Sequence, residues 1–305
     1  MNGFLNGMRM KVHEDCFPCF IRQSVIALRL AGASTGGELE GNPRAMRAIS
    51  AALEYASAAD ITTTPAHGTT FMHRAIREAL GVDPYREIKD EYNQKALALY
   101  PSLRARIEES PDPLHTAVRL AIAGNIIDFG IYDTIDIEGT VERALTRPLE
   151  VDEYAALVGA LKRRDDILYL LDNTGEAVFD RMLIETLTAM GKRVTAVAKG
   201  GPIINDCTLS DALAAGLGEV CEVIDNGTDC VGTILELSPP GFVERFRRPG
   251  TLIISKGQGN FETLLGDEEA EIIFLFQSKC EVVSRVLGLE KGSMLIAASP
   301  AALAI

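Results

Sequence analysis

Apolar positions recur at three- and four-residue spacing from residue 12 to about residue 160, then gather into short unbroken runs. The first pattern predicts amphipathic helices at Cys16–Leu30, Pro43–Ala59, Gly68–Leu80, Pro84–Ser110 and Pro113–Phe129. Proline stands at or near the start of several, where its missing N–H costs nothing. Residues 133–150 are mixed and read as a connector with one short helix. The second pattern predicts strands at Ile167–Leu171, Arg193–Ala198, Val220–Ile224, Thr251–Ser255, Ile272–Phe276 and Met294–Ala298. Helical segments fall between them at Glu176–Met190, Asp206–Ala215, Gly259–Leu265 and Lys279–Leu287. Such alternation reads as a parallel sheet with helices on its faces, so a helical part comes first and an α/β part second, with the boundary near residues 150–165.

Composition narrows the partners. A chain of 305 residues can bury one large core or two smaller ones. Its formal net charge of −13 argues against non-specific nucleic-acid binding, which needs basic surface to neutralise phosphates. No apolar run approaches the ~20 residues of a membrane span. Met1 to Lys11 has neither a long apolar core nor a signal-cleavage pattern, so a cytoplasmic protein with no membrane partner is expected. Six cysteines spread over a chain of this length do not read as a disulfide scaffold, and Cys16-Phe17-Pro18-Cys19 is the one close pair.

The chemistry lies just beyond the carboxyl end of each predicted strand. The first ends in Asp172-Asn173, the second in Lys199-Gly200-Gly201-Pro202 and then Asn205-Asp206, the fourth in Lys256-Gly257-Gln258-Gly259-Asn260, and the fifth in Gln277-Ser278-Lys279-Cys280. In a parallel sheet these groups converge on one rim, where ligands bind. Asp172, Asn173 and Asp206 supply oxygens that suit a hard divalent ion, and Lys199, Lys256 and Lys279 supply positive charge beside it. The Gly-rich turn at 257–259 lets backbone N–H groups approach a ligand. Together they make a site for a phosphoryl group. A purely structural alternative has Asp172 capping the next helix and Asn173 forming a turn. Asn125 and Asp128, three apart on one face of an apolar helical segment, either line a cleft or bond a neighbouring loop.

Other phosphatase chemistries fit poorly. None of His13, His67, His73 and His115 sits in an Arg-His-Gly context. The Cys16-x5-Arg22 spacing encloses Pro18 and the bulky Phe17, Phe20 and Ile21, so its backbone cannot cradle a phosphate. Asp136-Ile137-Glu138-Gly139-Thr140 departs from Asp-x-Asp-Gly-Thr at its second acid and comes after no clear buried strand. No Gly-x4-Gly-Lys-Ser/Thr loop is present, and no strand leads into Gly-x-Gly-x-x-Gly. Cys16 and Cys19 cannot complete a tetrahedral zinc site alone, although Cys280 or His13 could join them in space.

Taken in order, the motifs resemble the metal-dependent damage-control phosphatases, formerly a domain of unknown function numbered 89, and most of all the prokaryotic branch with an early Cys-x-x-Cys. The stretches that carry the resemblance are Cys16-Phe-Pro-Cys19, Asp83-Pro-Tyr85 with Lys89 and Asn93, Ala123-Gly-Asn-Ile-Ile-Asp-Phe129, Asp172-Asn-Thr-Gly-Glu176, Asn205-Asp206, Lys256-Gly-Gln-Gly-Asn-Phe-Glu262 and Lys279-Cys280. The resemblance implies an α/β protein in two domains: an all-helical domain over residues 1–155, then a three-layer α/β/α domain over 156–305 with a largely parallel sheet. It implies Asp172, Asn173 and Asp206 as metal ligands, and Asn125, Asp128, Lys256 and Asn260 as residues of the phosphate pocket. In distant relatives the fourth turn reads Lys-Gly-Asp-Leu-Asn; here Gln258 and Gly259 stand in place of Asp and Leu, and that acidic contribution is absent.

The expectation is therefore a divalent-metal-dependent phosphatase acting on small phosphometabolites, sugar phosphates or phosphorylated cofactor precursors that are damaged or in surplus. Manganese, cobalt, nickel and magnesium are the candidate ions. Asp172 and Lys256 are the expected catalytic residues, and Asn125, Asp128, Lys256, Asn260 and Lys279 the expected substrate contacts. The attacking group is open between water and the Asp172 carboxylate, and a homo-oligomer is compatible with the chain. Two other classes stay open: a methyltransferase that binds a nucleoside cofactor on a doubly wound sheet, and a non-catalytic metal- or metabolite-binding regulator built on Cys16 and Cys19.

Overall fold

A computed structural model describes residues 3–35, 43–126 and 137–304. Six helices come first: α1 (Cys16–Thr35), α2 (Pro43–Ala58), α3 (Pro65–Leu80), α4 (Arg86–Glu108), α5 (Pro113–Ile126) and α6 (Ile137–Thr146). Next come β1 (Val151–Asp152), α7 (Tyr154–Arg163), β2 (Asp166–Leu170), α8 (Glu176–Ala189), β3 (Arg193–Ala198), α9 (Leu209–Ala214), β4 (Glu222–Asp225) and α10 (Pro240–Phe246). The chain ends with β5 (Thr251–Lys256), α11 (Gly257–Leu264), β6 (Glu271–Gln277), α12 (Glu281–Leu287), β7 (Met294–Ala298) and α13 (Pro300–Leu303).

The strands form one sheet in the order β1-β7-β6-β5-β2-β3-β4, parallel throughout except where β6 meets β7. The chain runs outward from β2 through β3 to β4, then returns to lay β5 against the other side of β2. Connections leaving β2 and β5 therefore diverge, and a crevice opens between them at the carboxyl edge, where open α/β sheets bind ligands.

Strand residues alternate between two cores, as a sheet covered on both faces requires. Ile167, Tyr169, Leu252 and Ile254 pack with Leu120 and Ile122 of α5 and Phe179 and Met182 of α8. Leu168, Leu170, Ile253 and Phe274 pack with Phe20 of α1, Met72 and Ile76 of α3, Phe261 of α11 and Val283 of α12. Helices from the first half of the chain thus cover both faces, giving three α/β/α layers.

The differences from the sequence reading are local. Val151–Asp152 joins the sheet beside β7, although a two-residue strand is too short for any period to show. The segment Pro240–Phe246 is helical, started by a proline at its first position. The helix expected at Asp206–Ala215 begins only at Leu209, because the Thr208 N–H and hydroxyl both donate to Asp211 Oδ2 at 2.9 and 2.6 Å. Asp206 is left in an extended loop. Asp128 and Phe129, with the end of the helix expected at Pro113–Phe129, lie outside the described residues. No helix of the described residues is long and apolar enough to cross a membrane.

Candidate active site

The site grows from the end of β2. Leu171 N–H still donates to Val197 O at 3.0 Å, holding the chain beside β3 one residue past the strand. Asp172 O accepts from Cys207 N–H at 2.7 Å, and Thr174 N–H donates to Asn205 O at 2.9 Å. The segments 172–174 and 205–207 therefore run side by side, and Asn173 pairs with Asp206 in an isolated antiparallel bridge. Asp172 does not cap α8: the residue before that helix is Gly175, at φ 84°, and no side chain caps it. Gly175 N–H instead donates to Asn93 Oδ1 at 2.9 Å, while Asn93 Nδ2 donates to Asp211 O at 3.0 Å and Lys89 Nζ stands 2.5 Å from Asp211 Oδ2. Lys89 and Asn93, one turn apart on α4, brace the loops that carry Asp172 and Asp206.

Beneath this rim lies a buried polar network. Asn125 Nδ2 donates to Asp172 Oδ2 at 2.8 Å and to Glu176 Oε2 at 2.9 Å. Asn173 Nδ2 donates to the same two oxygens at 2.7 and 3.2 Å. Lys256, fully buried, donates to Glu176 Oε1 at 2.6 Å, Asp180 Oδ1 at 2.5 Å and Ala121 O at 2.9 Å, so all three of its donors are used inside the protein. Asn260 Nδ2 donates to Leu171 O at 3.1 Å and Lys256 O at 2.8 Å. The expected direct substrate contacts of Lys256 and Asn260 are thus replaced by roles in the floor, and Asn125 sits in that floor as well. Of the expected substrate contacts among the described residues, Lys279 alone lines the open cleft, with an exposed side chain.

The sequence reading assigned no role to Glu176 and Asp180. Their signal was available: two acids four apart on a helix, among the apolar and buried Ala177, Val178, Phe179 and Met182. Acids on such a face call for a cation.

Burial, then the charges of Glu176 and Asp206, push the Asp172 carboxyl far above its usual range, to about 8. Burial likewise raises Asp206, to about 6, against the pull of Lys199 and Lys89. Glu176 goes the other way: burial opposes its ionisation, but Lys256, Lys279 and the Asn125 amide outweigh it. Asp206 Oδ2 is buried with no hydrogen-bond partner, and the nearby Lys199 Nζ, 3.6 Å away, is already bonded to Gly232 O at 2.5 Å. An orphaned carboxylate oxygen beside a second carboxylate and an amide oxygen is a donor set for a hard divalent ion. Among the described residues no three His, Cys, Asp or Glu side chains stand close enough to hold a metal by themselves. Gly257, at φ 78°, completes the cradle: a Cβ there would lie 2.0 Å from the Asp172 carboxyl carbon.

Above the floor is a cleft of about 320 Å³. Asp172, Asn173, Asp206 and Lys279 line it, and so do Cys16, Cys19 and Cys280. The three thiols share this cleft, yet all six cysteines are free, and the zinc reading gains no metal-holding group among the described residues.

The profile of the damage-control phosphatase ARMT1-like domain matches residues 12–295 of the chain. A damage-control phosphatase of Pyrococcus horikoshii is 35% identical over 289 residues, covering 94% of this chain and 97% of its own length. A damage-control phosphatase of Archaeoglobus fulgidus is 33% identical over 234 residues, 75% of this chain and 81% of its own. The crystal structure of a DUF89 family protein from Pyrococcus horikoshii superposes with a TM-score of 0.81 at 33% identity, covering 95% of this chain and 100% of that one.

Proposed function

The chain belongs to the damage-control phosphatase ARMT1-like family, and from that premise we propose that it is a divalent-metal-dependent phosphatase that hydrolyses small phosphorylated metabolites in the cleft over Asp172. The observation that carries this reading is the buried, oxygen-only and unbalanced acid pair Asp172 and Asp206, set at the switch point of the sheet beside an exposed lysine. Asp172, Asn173 and Asp206 would hold the ion. When bound, it supplies Lewis-acid neutralisation of phosphoryl charge.

The chain's own residues do the rest. Lys279, exposed on the cleft wall, attracts the phosphate dianion. The first turn of α11 begins at Gly257, directly beside Asp172, and its free N–H groups add donors at the same rim. Lys256 touches no substrate; it fixes Glu176, which with Asn125 and Asn173 fixes the orientation of the Asp172 carboxylate. Sugar phosphates and phosphorylated cofactor precursors are the substrate classes to compare.

The test is phosphate release by metal-stripped protein from a panel of phosphate esters, with manganese, cobalt, nickel and magnesium returned in turn. Release only with added metal is the expected result. No release with any ion, or tight binding of a nucleoside cofactor without metal, would overturn the assignment.

A further inference from the structure

The cleft that holds the acids also has an apolar lining. Phe20, Ile204, Val231 and Val282 line it, together with the thiols of Cys16 and Cys280. Most of its polar side chains are already engaged. Gln23 bonds His73 Nε2 at 3.0 Å through its oxygen and donates to Cys19 Sγ at 3.3 Å. Gln258 accepts from Lys279 N–H at 2.7 Å and donates to Glu262 Oε1 at 2.8 Å. Asp15 is paired with His13 and Arg285. Thr69 and Asn205 are left, enough for one or two hydrogen bonds but not for the hydroxyl on every carbon that a polyol would bury, each unpartnered hydroxyl being costly.

Ile204 adds an independent observation. At φ 44° it is the one non-glycine residue with positive φ among the described residues. A β-branched side chain is strained in that region, and glycine would take it freely. An isoleucine stands there instead, its side chain lines the cleft, and it lies two residues ahead of Asp206. Strain of this kind collects where a side chain is held in place for a ligand.

We infer that the cleft selects phosphomonoesters whose alcohol presents an apolar face close to the phosphate, in preference to polyol phosphates, and that Ile204 is the specificity-determining residue. The inference rests on the phosphatase function proposed for the same cleft.

The experiment compares kcat/KM for n-butyl phosphate and glycerol 3-phosphate, two esters of primary alcohols, in the wild type and Ile204→Gly, with the ion that supports turnover. The wild type is expected to favour the butyl ester by about tenfold or more, the effect of one or two methylenes in an apolar pocket. Ile204→Gly is expected to lower that ratio by about tenfold, without a fall in thermal midpoint because the backbone strain is relieved. Val231→Ser is expected to lower it as well, and reads the same wall if the glycine variant folds poorly. A wild type that prefers glycerol 3-phosphate, or variants that keep the wild-type ratio, would overturn the inference. If the wild type hydrolyses neither ester, nor any other phosphate ester with any of the four ions, the phosphatase reading fails instead. Calorimetric binding of butylphosphonate against 3,4-dihydroxybutylphosphonate then decides the cleft preference: tighter butylphosphonate binding upholds it, and equal or weaker binding overturns it.

Discussion

Replacing Lys256 with methionine removes the only cation touching Glu176 Oε1 and Asp180 Oδ1 among the described residues, while keeping much of the side chain's volume. The loss can be sized from its contacts. Two of its three hydrogen bonds, at 2.6 and 2.5 Å, go to carboxylates. Charge-assisted bonds of about 1.5–3 kcal/mol each give roughly 3–6 kcal/mol, close to the roughly 3–5 kcal/mol lost when one partner of a buried ion pair is removed. Proton uptake offsets part of this. Burial already raises Asp180 to about 7 even with Lys256 pulling it down, and without the lysine it rises further. A carboxyl whose folded pKa lies above its unfolded value stabilises at low pH, and that stability is lost as pH rises through the folded pKa. The deficit of Lys256→Met is therefore greater at pH ~8.5 than at pH ~6. At roughly 2 °C per kcal/mol for a long chain, the melting temperature should fall by about 6–10 °C at the higher pH and by less at the lower. Circular dichroism melts at both pH values measure it. An unchanged midpoint at both, or a deficit that grows toward acid, would refute the account of the buried triad.

Asp172→Ala should abolish manganese binding and ester hydrolysis together; full turnover of an aryl phosphate with metal still bound would sink the role given to Asp172. Gly257→Ala forces a Cβ to within 2.0 Å of the Asp172 carboxyl and puts a side chain at φ 78°; a loss of about 1–3 kcal/mol in a thermal melt and a fall of about tenfold or more in turnover are expected, and wild-type behaviour would show that the close approach is unimportant. Asp206 and Asp172, raised to about 6 and about 8 mainly by burial, must lose their protons to take an ion. Manganese affinity by calorimetry should accordingly rise between pH ~6 and ~8.5, whereas the stability of the metal-free protein falls over the same window. A flat affinity would contradict these shifts.

The inner strands were legible because β2, β5, β6 and β7 are buried on both faces and read as largely apolar runs. β3 and β7 match their expected bounds, and β2, β5 and β6 come within a residue at either end. Asp172-Asn173 was legible because it interrupts such a run at the edge where a parallel sheet binds ligands. Lys256 was misread by a single residue. With the strand ended at Ser255, Lys256 becomes part of a loop and free to meet a phosphate. In the structure β5 continues through Lys256, paired with Leu275, and the two-residue period places its side chain on the face of Leu252 and Ile254, under α5 and α8. Glu176, Asp180 and Ala121 O await it there. Glu176 and Asp180 escaped because the apolar pattern of α8 was read for its period and not for the acids that interrupt it. The approach of Asp206 to Asn173 depends on where the 205–207 loop runs, which no local spacing encodes.

The charges of the site also have an order that no single residue explains. Tyr169 and Lys256, both on the α8 face of the sheet, hold Asp180 and Glu176 at the deepest level. Glu176 passes that constraint to Asn125 and Asn173, and their amides fix one oxygen of Asp172. At the top, Asp172 and Asp206 face the cleft. Four buried carboxylates, Asp172, Glu176, Asp180 and Asp206, stand against two buried lysines, Lys256 and Lys199, so the formal balance at the floor is two negative charges. A phosphate dianion brought to this floor meets repulsion, and Lys279 by itself offsets half of the surplus. A divalent cation matches the surplus in full. The same balance accounts for the raised pKa values: without such an ion the acids at the top can relieve their repulsion only by taking up protons, and protons and metal then compete for the same oxygens.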